Sequence, residues 1–516
     1  MITLNIVKYL NNIGLNSNDI NQLEDQGISL KSLNMQVDSF RNGIPSLLID
    51  RPASPGDGIR QLAASELDRF EKAYTGSIAG LDLCKFVPAS GAASRMFKDL
   101  LSFLNQPDVR EVQVEKFFID LHKFAFYKQL CKRVEESGDS VTSMTKNRKY
   151  RELLDILLTA SGMNYQDLPK ALLKFHQYPD GSRTALEEHL VEAALYARSR
   201  GRARIHFTTS TFHYKPIKDF LDQVIPKYQR RFELKYQISL SVQHPSTDTI
   251  AVYPNNLPFR DNKGKVLVRP GGHGALLQNL NNVTADVIFI KNIDNVAPDN
   301  LKPLMVRYKK ALVGVLLENQ ARIFKYLNLM DSLSLPFNLI AVEISDYLKN
   351  SLGRLLGDDY DNLVLEERMK YLHDSLNRPL RVCSVIRTEK VTGGGPYWVS
   401  SPNGDQSLQI IENAQLDSSD NLQSATVSQY AHITDLVCAV KNYKGEKFDL
   451  QKYIDPDTGF ITEKNYLGER IRVLEHPGLW NGSMAHWNTI LVEVPNAIFH
   501  PVKSIWDLLT SDHQSI

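Results

Sequence analysis

Long apolar runs are missing from this 516-residue chain. No window stays apolar for the ~20 residues that a helical bilayer crossing needs, so a membrane is not expected as a partner. Cysteine is scarce. The four residues, Cys84, Cys131, Cys383 and Cys438, lie far apart and form no CxxC pair, which excludes a disulfide framework and a zinc ribbon and predicts reduced, buried thiols. An excess of one charge is also missing. Lys plus Arg number 60 and Asp plus Glu 59, for a formal net charge of +1, so nothing in the global balance calls for nucleic acid. The first residues, MITLNIVKYL, lack the basic start and apolar core of a secretory signal, and the expectation is a cytoplasmic protein. There is no internal repeat and no low-complexity tract.

Several catalytic signatures are absent as well. TGGGPYW at Thr392–Trp398 is glycine-rich but carries neither the lysine nor the spacing of a phosphate-binding P-loop; its glycines, Gly393 to Gly395, read instead as a mobile lid. GSMAH and TASGM do not make a nucleophile elbow. The scattered His and Cys residues form no metal-ligand constellation.

What is present is an ordinary globular composition, 42% hydrophobic and 23% charged, in a chain long enough for two or three domains. Residues 1–80 read as short helices and turns, an N-terminal helical arm. From residue 81 the pattern changes to strands alternating with helices: LCKFVP, ARIHFTTS, ELKYQISLSVQ and ADVIFIKNIDNV as strands, YKPIKDFLDQVIPKY as a helix. That alternation predicts an open α/β fold with a largely parallel sheet over residues 81–345, interrupted by a charged helical insertion at about 101–165. Residues 304–333 read as one long helix, and residues 346–516 as a C-terminal part that restarts the strand pattern.

The stretch KFVPASGAASRMFKDLL, Lys85 to Leu101, carries the functional argument. In an open α/β sheet, ligands sit beyond the carboxyl ends of the strands. A loop of Ala89, Ser90, Gly91 and Ala92 leaves little bulk there, so backbone N–H groups at a helix start can approach a phosphate. Ser94 follows, and Arg95 offers a planar fork for phosphate oxygens. The competing reading is a tight strand–helix turn whose small residues serve packing.

VPASGAASRM resembles the first signature of the sugar-nucleotide pyrophosphorylases, a strand followed by Gly-Gly-x-Gly-Thr-Arg, with Gly91, Ser94 and Arg95 matching and Ser90 and Ala93 standing where glycines are usual. The second half of that signature resembles LPKALLKF, which places Lys170 as the cation that reaches the triphosphate, with Lys98 as a competitor. HFTTSTFHYKPIKDFL is similar to a Met-Thr-Ser segment of the UDP-sugar enzymes and offers Thr209, Ser210 and Thr211 to ribose or phosphate, helix capping being the equal alternative. RPGGHGALLQNL resembles their Pro-x-Gly-His-Gly loop, which implies base and ribose contacts from Gly272, His273 and Gly274. DVIFIKNIDNV resembles the strand that ends in a metal-binding aspartate, which implies Mg²⁺ at Asp294 with Asn292 and Asn295 orienting it. FHPVKSIWDLL resembles a PVK…DLL segment whose lysine contacts substrate phosphate, here Lys503; Asn488 and Glu412 fall where the family places sugar-side residues. The combination also resembles an uncharacterised bacterial family of nucleotidyltransferase-like proteins.

The resemblance implies a three-layer, Rossmann-like nucleotide-diphospho-sugar transferase core. It implies a magnesium-dependent transfer joining a nucleoside triphosphate to a sugar-1-phosphate, with these two small molecules as partners. Two alternatives stay open: a nucleotide-sugar-dependent glycosyltransferase, disfavoured by IDN where an Asp-x-Asp pair is usual, and a non-catalytic nucleotide or nucleotide-sugar binding protein. The base, the sugar and the oligomeric state are not readable from the residues.

Overall fold

The computed structural model describes residues 14–105, 112–332, 337–388, 394–416 and 427–514. The chain is a mixed α/β protein whose sheets pair in both parallel and antiparallel fashion. It divides into two compact units. A parallel-sheet unit takes Ser65–Val242, Ile288–Gly314 and Val494–Ile516; a mixed-sheet unit takes Met1–Ala64, Gln243–Val287 and Val315–Glu493.

The parallel-sheet unit is built on β1 (Leu83–Pro88), β2 (Arg202–Thr209), β3 (Lys235–Val242) and β4 (Val287–Lys291), in the spatial order β4-β1-β2-β3. β1 runs parallel to β2, and β2 to β3. β1 and β4 are buried almost throughout, as expected of strands covered on both faces. Between β1 and β2 lie the helices Lys98–Asn105, Val112–Asp120, Tyr127–Glu135, Val141–Lys146 and Tyr150–Leu158, in the expected helical insertion; residues 106–111 lie outside the described residues.

Helix α1 (Ala185–Tyr196) opens with a capping box: Glu187 N–H donates to Thr184 Oγ1 at 3.1 Å and Thr184 N–H to Glu187 Oε2 at 2.7 Å, which satisfies two of the unpaired donors at a helix start. Nearly every residue of α1 is buried, including Glu188, His189 and Glu192. That burial is possible because each carboxylate has partners in the same unit. Glu192 accepts from Lys85 of β1 at 2.7 Å and Lys291 of β4 at 2.8 Å. Glu188 accepts from Lys302 at 2.6 Å, at the start of α3 (Lys302–Ser332), and bonds His176 Nδ1 at 3.0 Å. Burial opposes the charge on Glu192, and the two lysines overcome it and hold its carboxyl well below the usual range; for Lys85 burial wins and pushes the ammonium group down to about 7. Helix α2 (Thr211–Phe232) follows β2 after a short turn at Ser210.

The mixed-sheet unit holds a four-stranded antiparallel sheet of Val268–Pro270, Asp248–Val252, Glu469–Glu475 and Phe460–Tyr466, in that order. The helices Ser17–Asp25 and Leu30–Asn42 pack on it through Ile20, Leu23, Val37, Phe40, Ile250 and Leu474. In the same unit Leu380–Arg387 pairs parallel with Asn488–Glu493 and antiparallel with Tyr430–Ala439. The first 80 residues are not only helical: short strands at Leu48–Pro52, Ser54–Pro55 and Gly58–Arg60 interrupt them, the first pairing with Gly395–Ser400. Gly395 opens a strand paired with Ile411, so it is not part of a free lid; Gly393 lies outside the described residues. The long helix expected at 304–333 spans Lys302–Ser332. Among the described residues no helix is long and apolar enough to cross a membrane.

Candidate functional site

At the carboxyl end of β1 the Ala89–Ala92 loop is held by its neighbours' backbones. Ala89 N–H donates to Thr208 O of β2 at 2.8 Å. The chain leaves this loop, runs through the helical insertion, and returns beside it. Lys170 N–H donates to Gly91 O at 3.1 Å, Ala93 N–H to Leu168 O at 3.1 Å, and Ala92 bridges Pro169. The two fragments, separated in sequence, are therefore hydrogen-bonded neighbours. Ala89 and Ala93 are buried, Ser90 is half-buried, and Gly91, Ala92, Ser94, Arg95 and Lys98 are exposed. A Cβ added at Gly91 would meet no atom within 4 Å.

Asp294 lies just beyond β4, where Ile293 N–H donates to Pro88 O of β1 at 3.3 Å. Its carboxylate receives Lys170 Nζ at 2.9 Å and Lys503 Nζ at 3.0 Å. Lys170 Nζ also donates to Val502 O at 2.8 Å, and Val502 N–H to Asp294 O at 2.9 Å. The segment carrying Lys503 has no regular structure of its own. It is fixed by the Asn295–Pro501 bridge, by His500 N–H on Asn295 Oδ1 at 3.2 Å, and by Ile505 N–H on Met96 O at 3.1 Å, one residue from Arg95. Lys503 and Ser504 N–H both donate to Asp507 Oδ2 at 2.7 Å.

Asp294 and Lys170 are buried, whereas the Lys503 side chain is 64% exposed. Burial alone would raise the Asp294 carboxyl; the nearby Lys503 and Lys170 charges and their hydrogen bonds outweigh it and hold the group below its usual range. The result is two cations gathered on one ionised carboxylate beside a small-residue loop, an arrangement suited to an anion.

The second group of expected site residues belongs to the mixed-sheet unit. Gly272 takes a positive φ of 76°. A Cβ at Gly271 would lie 2.4 Å from the His476 ring, and one at Gly274 would lie 2.1 Å from Pro477 O. These glycines are required by the chain's own packing. The His273 ring is engaged on both nitrogens: Nδ1 accepts Leu479 N–H at 2.9 Å, so Nε2 carries the proton and donates to Glu412 Oε1 at 2.8 Å. One face stacks on Trp480, ring centroids 4.2 Å apart. Glu412 thus meets His273. Asn488 is fully buried, its Nδ2 donating to Leu376 O at 3.2 Å.

Sequence reasoning did not find Trp480, nor the charged layer of α1, where His189 Nε2 bonds Ile293 O at 3.2 Å, one residue before Asp294. The capping box at Thr184 was the available signal for α1; for Trp480 there was none.

Fold and site together define a mixed α/β protein with a small-residue loop at the carboxyl end of one strand, hydrogen-bonded to the backbone of a lysine whose ammonium group meets a second lysine on Asp294. The chain belongs to the family described as a domain of unknown function, DUF4301, whose model matches residues 16–514. No curated protein matches it. Among solved structures it is similar to the uridine diphosphate N-acetylglucosamine pyrophosphorylase of Trypanosoma brucei in complex with inhibitor, at 11% identity and a TM-score of 0.48, over 96% of this chain and 78% of that one. It is also similar to a mutant of UDP-glucose pyrophosphorylase from Leishmania major in complex with UDP-glucose, at 13% identity and a TM-score of 0.46 over 96% and 78%. A third is UDP-glucose phosphorylase from Trypanosoma brucei, at 13% and 0.45 over 96% and 80%.

Proposed function

We propose that the chain is a sugar-phosphate nucleotidyltransferase on a Rossmann-like nucleotide-diphospho-sugar transferase core. The observation that carries this reading is the meeting of Lys170 and Lys503 on Asp294, with the backbone of Lys170 bonded to the Gly91 loop. A sugar-1-phosphate oxygen attacks the α-phosphorus of a nucleoside triphosphate. A new P–O bond forms, the bond to the bridging oxygen breaks, and pyrophosphate leaves with the electron pair. The nucleophile is already an anion, so no general base is needed, and catalysis is positioning and charge neutralisation.

In this reading the backbone of Ala89–Ala92 and the Ser94 region line the triphosphate. Arg95 and Lys170 stabilise the departing pyrophosphate, and the exposed Lys503 holds the attacking sugar phosphate. Asp294 holds the two ammonium groups close to one another. Motif likeness alone carries the base and ribose role of Gly272, His273 and Gly274 and the sugar-side role of Glu412 and Asn488.

Mg²⁺ takes oxygen ligands, typically one or two carboxylates with phosphates and water completing the shell. Asp294 supplies one ionised carboxylate, and among the described residues no group of three His, Cys, Asp or Glu stands together to hold a metal. The residues fit Mg²⁺ only in company with bound phosphates. Asp294 would hold it there, and the metal would add charge neutralisation at the phosphate oxygens.

The test is calorimetry with UTP, CTP, GTP and ATP, with and without Mg²⁺, followed by a pyrophosphate-release assay over a panel of sugar-1-phosphates. The expected result is metal-dependent binding of one nucleotide and release with at least one sugar phosphate. Binding without release supports the non-catalytic reading instead, and absence of nucleotide binding rejects both.

A further inference from the structure

We propose that Phe212 is the platform on which the base of the bound nucleotide stacks. This rests on the nucleotidyltransferase reading and adds to it a contact that no motif suggested. Phe212 is 91% exposed, the most exposed large apolar side chain among the described residues. A solvent-facing phenylalanine forgoes the gain of burial, and single exposed apolar residues are common enough to need no explanation. Its location is what distinguishes this one.

Phe212 stands in the first turn of α2, directly beyond the carboxyl end of β2. That turn belongs to the same loop cluster as the anion cradle. Thr208 O, at the end of β2, accepts Ala89 N–H. His213, the next residue, is pinned by both ring nitrogens, Nδ1 to Ser210 Oγ at 3.0 Å and Nε2 to Asp167 O at 2.9 Å. Asp167 immediately precedes Leu168, whose carbonyl accepts Ala93 N–H, and two residues further Lys170 N–H bonds Gly91 O. The three loops after β1, after the insertion and after β2 are thus tied together, with His213 held against them and Phe212 left to solvent. The Oγ1 atoms of Thr208 and Thr209 at this strand end are buried without a hydrogen-bond partner, which leaves polar groups at the cluster that the chain does not satisfy.

A nucleotide pairs a polyanion with a flat apolar ring. The cradle and its cations answer the first, and a free aromatic face beside them answers the second. His273, the ring that motif likeness would assign to the base, has one face already stacked on Trp480 and both nitrogens engaged.

The experiment compares wild type, Phe212→Ala and Phe212→Trp by calorimetry, with the preferred nucleoside triphosphate and with inorganic tripolyphosphate, which has no base. Stacking on an aromatic ring is worth roughly five- to a hundredfold in affinity. Phe212→Ala is expected to bind the nucleotide about tenfold or more weakly while its tripolyphosphate affinity is unchanged. Phe212→Trp is expected to keep nucleotide affinity and to gain indole emission that the nucleotide quenches and tripolyphosphate does not. Because the side chain is exposed, neither change threatens the fold. Equal nucleotide affinity in wild type and Phe212→Ala overturns the platform alone. A parallel loss for both ligands overturns it too. Wild type that binds neither ligand brings down the nucleotidyltransferase reading itself.

Discussion

A Cβ placed on Gly91 would meet no atom within 4 Å, whereas one on Gly274 would sit 2.1 Å from the Pro477 carbonyl oxygen. Gly91 has no positive φ to require glycine either. The two glycine loops therefore use the same residue for opposite reasons. Around Gly274 the space is already taken by the chain, and any side chain must displace backbone. Around Gly91 the space is open, and glycine is useful only if something from outside comes close. A glycine-rich match in a sequence reports close approach without saying whether the approaching group is the protein or a ligand.

The largest effect on turnover is expected at Lys503. Lys503→Ala removes a mostly exposed side chain, so thermal unfolding stays near that of wild type while turnover falls roughly a hundredfold, the usual cost of losing one transition-state charge contact. Unchanged turnover in folded protein would detach the carboxylate–lysine cluster from the chemistry. Next comes Glu192→Ala, which leaves Lys85 and Lys291 without their shared carboxylate in the core and is expected to cost about 3–5 kcal/mol in a denaturant titration. A loss under ~1 kcal/mol would mean that the buried charges do not hold the parallel-sheet unit together.

The glycine comparison itself is sharpened by a matched pair. Gly274→Ala is expected to lose about 1–3 kcal/mol of stability through overpacking against Pro477. Gly91→Ala is expected to stay within about 0.5 kcal/mol of wild type and to bind nucleotide more weakly. Reversed outcomes would exchange the roles of the two loops.

The smallest effect concerns pH. The folded Asp294 carboxyl lies below its ordinary value, so the folded state binds fewer protons than the unfolded one in that range. Its contribution stands above the unfolded value of about 3.9 and is lost as pH falls through the folded value. Wild type and Asp294→Asn should begin to converge in stability as pH falls below about 4 and continue to do so down through the folded value; a constant difference on further acidification would contradict the ion pairing.

Much of the candidate site was legible because its pieces are local. The run LCKFVP followed by Ala-Ser-Gly-Ala predicts a buried strand and a bulk-free loop, and Asp294 follows VIFIKNI at a strand end. That Lys170 and Lys503 converge on that aspartate was suggested only by resemblance, since residues so far apart in the chain have no local signal that brings them together. The charged face of α1 was not legible. TALEEHLVEAALY contains three glutamates, which local patterning assigns to solvent; only the strands bearing Lys85 and Lys291 and the helix bearing Lys302 make the burial of Glu188 and Glu192 possible. Glu412 and His273 were assigned to ligand, and the fold has them bonded to each other.

Sequence alone determined the alternation of strand and helix in the parallel-sheet unit, the small-residue loop at Gly91 and the absence of a helical membrane span among the described residues, because each depends on the size, polarity and spacing of neighbouring residues. Tertiary structure alone decided which charges face water and which pair in the core, which glycines are filled by the chain and which are open, and that Phe212 stands in solvent while His273 is stacked on Trp480 and bonded through both nitrogens. Those outcomes depend on distances between segments far apart in the chain, and such distances are set only when the strands find their order.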